Sequence, residues 1–194
     1  MTYDYDDASK HDDQWLYRPV LQKTKRIASS DKCSAFMGSD LTHSDMTSKD
    51  IDDYNYRIVK ESSVRDHPIW VMKTLPKTQK NLNETGYKKS YMFERQDNFV
   101  VVRALHILQE GSKKKYLDVK KLEMIDGIWV ATEIEMKTTQ NKKTLHKTIF
   151  KSNNIKFNQD INESFFSVRS IEKGLQHETT LRIFTSVSYF LWQH

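Results

Sequence analysis

Two groupings of residues in this sequence have types and spacings that could do chemistry, and a third could do physical work. Asp4, Asp6, Asp7, His11, Asp12 and Asp13 offer oxygen ligands to a hard cation such as calcium. The run lacks the glycine and the distal glutamate of an EF-hand loop, so it reads as a solvated acidic strand end. Ser29, Ser30, Ser34 and Ser39 lie close in sequence to Asp31, Asp40, His43 and Asp45, which are the residue types of nucleophilic hydrolysis. No GxSxG element puts any of these serines on a tight turn, and the segment reads as a polar loop. GxxxxGK[ST], GxGxxG and HExxH are absent too. Cys33 is the single cysteine, which leaves no intrachain disulfide, CxxC pair or cysteine-based metal site. The expectation is a protein that is not an enzyme and carries no cofactor or metal.

The third grouping is apolar. Tyr54, Tyr56, Trp70, Met72, Tyr91, Phe93, Ile128, Val130, Ile134 and Met136, joined by Trp15 and Tyr17, would line one concave apolar face if their strands form a bent sheet. Such a face could bury an acyl chain at roughly 0.8 kcal/mol per CH₂. An ordinary core under a helix is the competing reading, but the sequence holds little helix to cover the face.

Charge adds a weaker signal. The 31 basic and 26 acidic side chains leave a net charge of +5 over 194 residues, with the basic excess after residue 60. Lys113, Lys114 and Lys115, with Lys120 and Lys121, form a run beside a turn. Dispersed lysines serve solubility, so no nucleic-acid partner is expected and the run reads as a solvated turn.

The elements that would position these groups are short alternating runs separated by turn residues, the pattern of an antiparallel meander. Strands are expected at 54–59, 69–75, 87–94, 99–107, 116–124, 128–136 and 145–151, the last prolonged by Ile155–Phe157 past a bulge at Asn153–Asn154. Asp126-Gly127 is a type I′ hairpin signal, because glycine accepts the positive φ of that turn. The segment 77–86 reads as a polar linker. Two more strands are expected at 15–19 and 23–28, and a short helix at 47–53 with Thr47 as its cap. The fold class is therefore mainly β with minor α.

The front of the chain carries specific motifs: Tyr3-Asp4-Tyr5-Asp6-Asp7, Asp12-Asp13-Gln14-Trp15-Leu16-Tyr17, Lys25-Arg26-Ile27, Ser29-Ser30-Asp31-Lys32 and Phe36-Met37-Gly38-Ser39-Asp40. Asp52-Asp53-Tyr54, Ile125-Asp126-Gly127-Ile128-Trp129, Glu133-Ile134-Glu135-Met136 and Phe165-Phe166-Ser167-Val168-Arg169 continue the series. Together they resemble the outer-membrane lipoprotein-sorting protein family of the LolA-like superfamily, over residues 2 to 173. The resemblance implies a strongly curved, antiparallel half-barrel sheet in a Gram-negative periplasmic or outer-membrane-associated protein. Its apolar concavity would receive lipid or lipoprotein acyl chains, with an RND-type (MmpL-like) transporter or an outer-membrane acceptor as partner and no catalytic residues. A non-enzymatic module that docks a membrane transporter is the alternative. Family members begin with a signal peptide, a helix and further strands, so the half-barrel domain, residues 1–174, is expected to be incomplete at its N-terminus. Residues 175–194 are an unassigned extension.

Overall fold

The structure, a computed structural model, describes residues 1–3, 5, 12–160, 162, 164 and 166–174. The expected extension at 175–194 lies outside the described residues, as do Asp4, Asp6, Asp7 and His11 of the acidic run. Three short strands, β1 (Thr2–Tyr3), β2 (Asp13–Arg18) and β3 (Lys23–Ile27), make a small antiparallel sheet. Residues 28–53 follow as a strap of loops and 3₁₀ turns. Seven strands then form one antiparallel meander: β4 (Tyr54–Val64), β5 (His67–Pro76), β6 (Tyr87–Arg95), β7 (Val101–Leu108), β8 (Lys113–Ile125), β9 (Ile128–Gln140) and β10 (Lys143–Lys151). The sheet is open, with β4 and β10 as its edges. Helix α1 (Gln79–Thr85) joins β5 to β6, and α2 (Val168–Gly174) packs against β2 and β3, where Glu172 accepts the Thr24 backbone N–H at 3.0 Å.

Three hairpins use two-residue turns with both central residues at positive φ, the twist that matches antiparallel strands. Asp126 (50°) and Gly127 (81°) are the expected pair; Arg65 and Asp66 (49° and 65°) and Asn141 and Lys142 (49° and 66°) do the same without glycine.

Four expectations change. The segment 77–86 is a helix rather than a linker: the Thr78 side chain accepts from the Asn81 N–H, and Gly86 ends the helix in the left-handed region. The helix expected at 47–53 is a 3₁₀ turn, Ile51–Asp53, capped by Asp50, whose carboxylate accepts from the Asp52 N–H at 2.8 Å. Strand β4 runs to Val64, five residues beyond its expected end. The last strand stops at Lys151, so Ile155–Phe157 does not prolong it.

The register sorts side chains into rows across the sheet. One row runs Ile58, Met72, Met92, Ala104, Leu117, Met136 and Thr148, each directly opposite the next. The adjacent row on that face is polar: Tyr56, Thr74, Ser90, His106, Lys115, Thr138 and His146. On the opposite face, Arg57, Lys73, Tyr91, Leu105, Tyr116, Lys137 and Lys147 form a third row. Bulges at Val59, in β7 beside Glu94 and in β8 after Val119 bend the strands. Curvature brings the β4–β5 turn across to β8, where the Arg65 guanidinium donates to the Val119 carbonyl at 2.5 Å and grips both oxygens of Asp118 at 2.9 Å. Val64, Ile69, Val71, Val100, Val102, Val119 and Ala131 are the buried core, flanked by Tyr91, Phe93, Leu117, Leu122, Trp129 and Ile134. Each fully buried valine or isoleucine of this set stabilises the fold by about 1.5–3 kcal/mol.

A Cβ on Gly127 meets no atom, so its cost is purely conformational. Gly127→Ala is expected to lower unfolding free energy by about 1–2 kcal/mol, read from a denaturant titration with unchanged m-value.

Candidate functional site

The strap lies over the polar row, held there by two aspartates. Asp40 is buried, its side chain 2% exposed. Its carboxylate accepts from the Thr138 hydroxyl at 2.5 Å and the Thr148 hydroxyl at 2.9 Å, and it meets His146 Nδ1 at 2.7 Å. Its own backbone N–H donates to the Thr148 hydroxyl at 2.9 Å. Burial pushes this carboxyl up, but the hydrogen bonds from Thr138, His146 and Thr148 outweigh it and hold the group below the usual range.

Five residues on, Asp45 accepts from the Tyr87 hydroxyl at 2.7 Å and the Thr42 N–H at 2.8 Å, with Lys49 Nζ at 3.8 Å. Burial opposes its charge, and Lys49, His106, Lys115 and Thr42 together keep its pKa low. The Tyr87 ring stacks on His106 with centroids 4.3 Å apart, while Lys49 and Lys115 hold their ammonium groups 5.6 and 5.7 Å from the same ring. Burial, against the Asp45 charge, pushes His106 down to about 4. Burial also lowers Lys115 and, with Asp45, raises Tyr87 well above its ordinary value. A small cleft here is lined by Lys49, Thr74, Tyr87, Ser90, Met92 and His106, among others.

Ser90 Oγ lies 2.7 Å from His106 Nδ1, a serine–histidine contact that the sequence reading missed. Both residues sit mid-strand and buried, and an imidazole with a pKa near 4 is a weak base. The pair fastens β6 to β7. The serines of the strap have other tasks: Ser34 Oγ donates to the Asp31 carbonyl and Ser39 Oγ to the Phe36 carbonyl, both at 2.6 Å. His43 packs edge-on against Phe36, and its backbone carbonyl accepts from the buried Gln14 amide at 3.1 Å.

The motif loop is thus a folded clasp. Ser29, Ser30 and Asp31 make a 3₁₀ turn, and buried Lys32 reaches Glu84 of α1 at 3.5 Å. Met37 is 71% exposed in the left-handed region, followed by Gly38. No metal-ligating cluster occurs among the described residues.

Of the expected apolar residues, the register brings Met72 and Met136 into one row, and Ile134 lies two residues from Met136 on the same face. Tyr54 and Tyr56 pair with Pro76 and Thr74 at the polar flank. Trp70, also on this face, packs against Phe99 with ring centroids 6.0 Å apart. Tyr91 and Phe93 alternate with Met92, so they point to the opposite face. Ile128 sits at the β8–β9 turn opposite Ile125, and Val130 is buried opposite Glu123. Trp15 and Tyr17 belong to the small sheet, paired with Arg26 and Thr24. Ile58, Met92, Ala104, Leu117 and Thr148 complete the row and were not read from the sequence as its members, since alternation within one strand does not say which parity faces a neighbour's.

Burial of neutral His106 makes stability pH-dependent. Its folded pKa lies below the unfolded value of 6.5, so its share is full above pH 6.5 and is lost as pH falls toward about 4. Thermal melts should show a loss on the order of 3 kcal/mol across that window, which His106→Gln flattens. Asp40→Ala strands the Thr138 and Thr148 hydroxyls and should cost about 2–3 kcal/mol in the same assay.

A family model described as an uncharacterized "-like" protein matches residues 1–173. Among solved structures, a DUF1329 family protein from Desulfovibrio piger is similar at 25% identity and TM-score 0.72, over 86% of this chain and 67% of that one. An outer membrane lipoprotein-sorting protein domain from Vibrio parahaemolyticus matches at 24% identity and TM-score 0.72, over 84% and 67%. A LolA superfamily protein from Nitrosomonas europaea shares the fold at 18% identity and TM-score 0.58, over 80% and 66%. No curated protein matches the sequence. The chain belongs to the uncharacterized family whose model spans residues 1–173, and it shares its fold with these solved structures.

Proposed function

We propose that this protein is a periplasmic carrier that binds the acyl chains of lipids or lipoproteins along its sheet. The observation that carries the reading is the unbroken apolar row from Ile58 to Met136, in register across six strands and bordered by the polar row that seats the strap. Six strands at about 4.8 Å spacing make the row about 24 Å long, the length of a common acyl chain, which would take the place of the protein's own cover over Met92, Ala104 and Met136. Chain burial there is worth roughly 0.8 kcal/mol per CH₂. The similarity to a lipoprotein-sorting domain and a LolA superfamily protein supports the same reading. Cargo would pass to an outer-membrane acceptor or travel with an RND-type exporter.

Titration with a fluorescent long-chain fatty acid should give saturable binding. Met72→Lys, at a half-buried position in the row, should weaken it about tenfold or more, whereas Val20→Lys, 96% exposed and off the sheet, should leave it unchanged. A transporter-docking module would bind none of the probe, and that result would sink the carrier reading.

A further inference from the structure

The face opposite the strap carries a second pattern that acyl-chain binding does not use. Its long row has cations at both ends, Arg57 and Lys73 on one side and Lys137 and Lys147 on the other, with Tyr91, Leu105 and Tyr116 between them. The row below it adds Lys89 and Lys114, which flank Ile107. All of these side chains are exposed or half-buried. Neither row contains a carboxylate, and of these six cations only Lys147 has one within 4 Å among the described residues, Glu135 at 3.7 Å. The nearest acids of the same face, Asp118 and Glu135, lie one row further and are engaged by Arg65, Arg103, Lys120 and Lys147.

The tyrosines are not free platforms. Lys89 Nζ lies 5.8 Å from the Tyr91 ring and Lys137 Nζ 5.4 Å from the Tyr116 ring. Bases stack on open ring faces, so rings already covered by the protein's own ammonium groups suit nucleic acid poorly. The Tyr116 ring, 37% exposed with Lys137 over it, matches the headgroup level of a bilayer, where aromatic bodies sit half-wet and cations meet phosphate, while half-buried Tyr91 packs against the core. The structure also separates the lysine run at residues 113–115: Lys115 turns inward beneath the strap, and Lys114 turns out to this face.

We propose that this basic, tyrosine-centred face docks the protein on an anionic phospholipid surface. It stands apart from the carrier reading, because the acyl row lies on the other face of the sheet. The docking surface and the acyl row are opposite faces of one sheet, so a docked protein keeps its strap turned away from the bilayer.

Flotation with vesicles of phosphatidylcholine containing about 30 mol % phosphatidylglycerol tests it. The chain should float with these vesicles, not with pure phosphatidylcholine, and should be released at high salt. Replacing Lys73, Lys89 and Lys137 with Gln together should weaken partitioning about a hundredfold, at roughly fivefold per cation. The same net change at Lys142, Lys143 and Lys156 should have little effect. Fatty-acid binding in vesicle-free solution should survive the first triple variant, so failure of docking and failure of the carrier reading are read separately. Equal flotation on neutral vesicles, equal loss in both triple variants, or no flotation would overturn the proposal. Salt-sensitive binding of a single-stranded oligonucleotide by a chain that ignores vesicles would do so as well, and would reassign the face.

Discussion

Seven strands in one register leave little freedom about which side chains share a face. Because alternation has period two, the pairing Met72 opposite Met92 also determines that Tyr91 and Phe93 look the other way, and the same constraint repeats through Ala104, Leu117 and Met136. A slip of one residue at any hairpin would interleave lysines with methionines and destroy both faces. The two-residue turns at 65–66, 126–127 and 141–142 guard against that slip, and their positive φ values show the backbone conformation each one adopts to do so.

On this frame the polar row does structural work that an apolar one could not. A strap without regular secondary structure has many backbone groups to satisfy and few apolar side chains to bury. Asp40 and Asp45 supply point attachments instead, each a carboxylate whose burial is offset by several donors. Satisfied in this way, a buried charge specifies a position; deprived of its partners it would be a large penalty. The neutral, buried imidazole of His106 belongs to the same logic, since protonation would add a cation beside Lys49 and Lys115.

Much of the sheet was legible in the sequence because its signals are local. Asp126-Gly127 announces a turn chemically, and Ile134 and Met136 alternate with glutamates. The β4–β5 turn carries no such signal: Arg65-Asp66 enters the left-handed region without glycine or asparagine, so nothing local marks where the strand ends. Helix α1 hid in a polar stretch lacking apolar periodicity, although Thr78 and Gly86 are sound caps in hindsight. Family resemblance drew attention to the loop containing Asp40, but its role depends on Thr138, His146 and Thr148 about a hundred residues away. The cluster of Asp45, Tyr87, His106 and Lys115 is non-local in the same sense, and only the register assembles it.

The apolar row is rich in methionine: Met72, Met92 and Met136 occupy three of its positions. Unbranched thioethers adapt to the shape lying against them, which in the proposed carrier would favour breadth of cargo over selectivity. They also oxidise to polar sulfoxides that an apolar chain would shun. Met92 and Met136 are buried and sheltered, while half-buried Met72 is the more accessible to an oxidant. Binding of acyl chains by this row, as proposed, would thereby depend on the oxidative state of its surroundings, with Met72 as the first position to register a change.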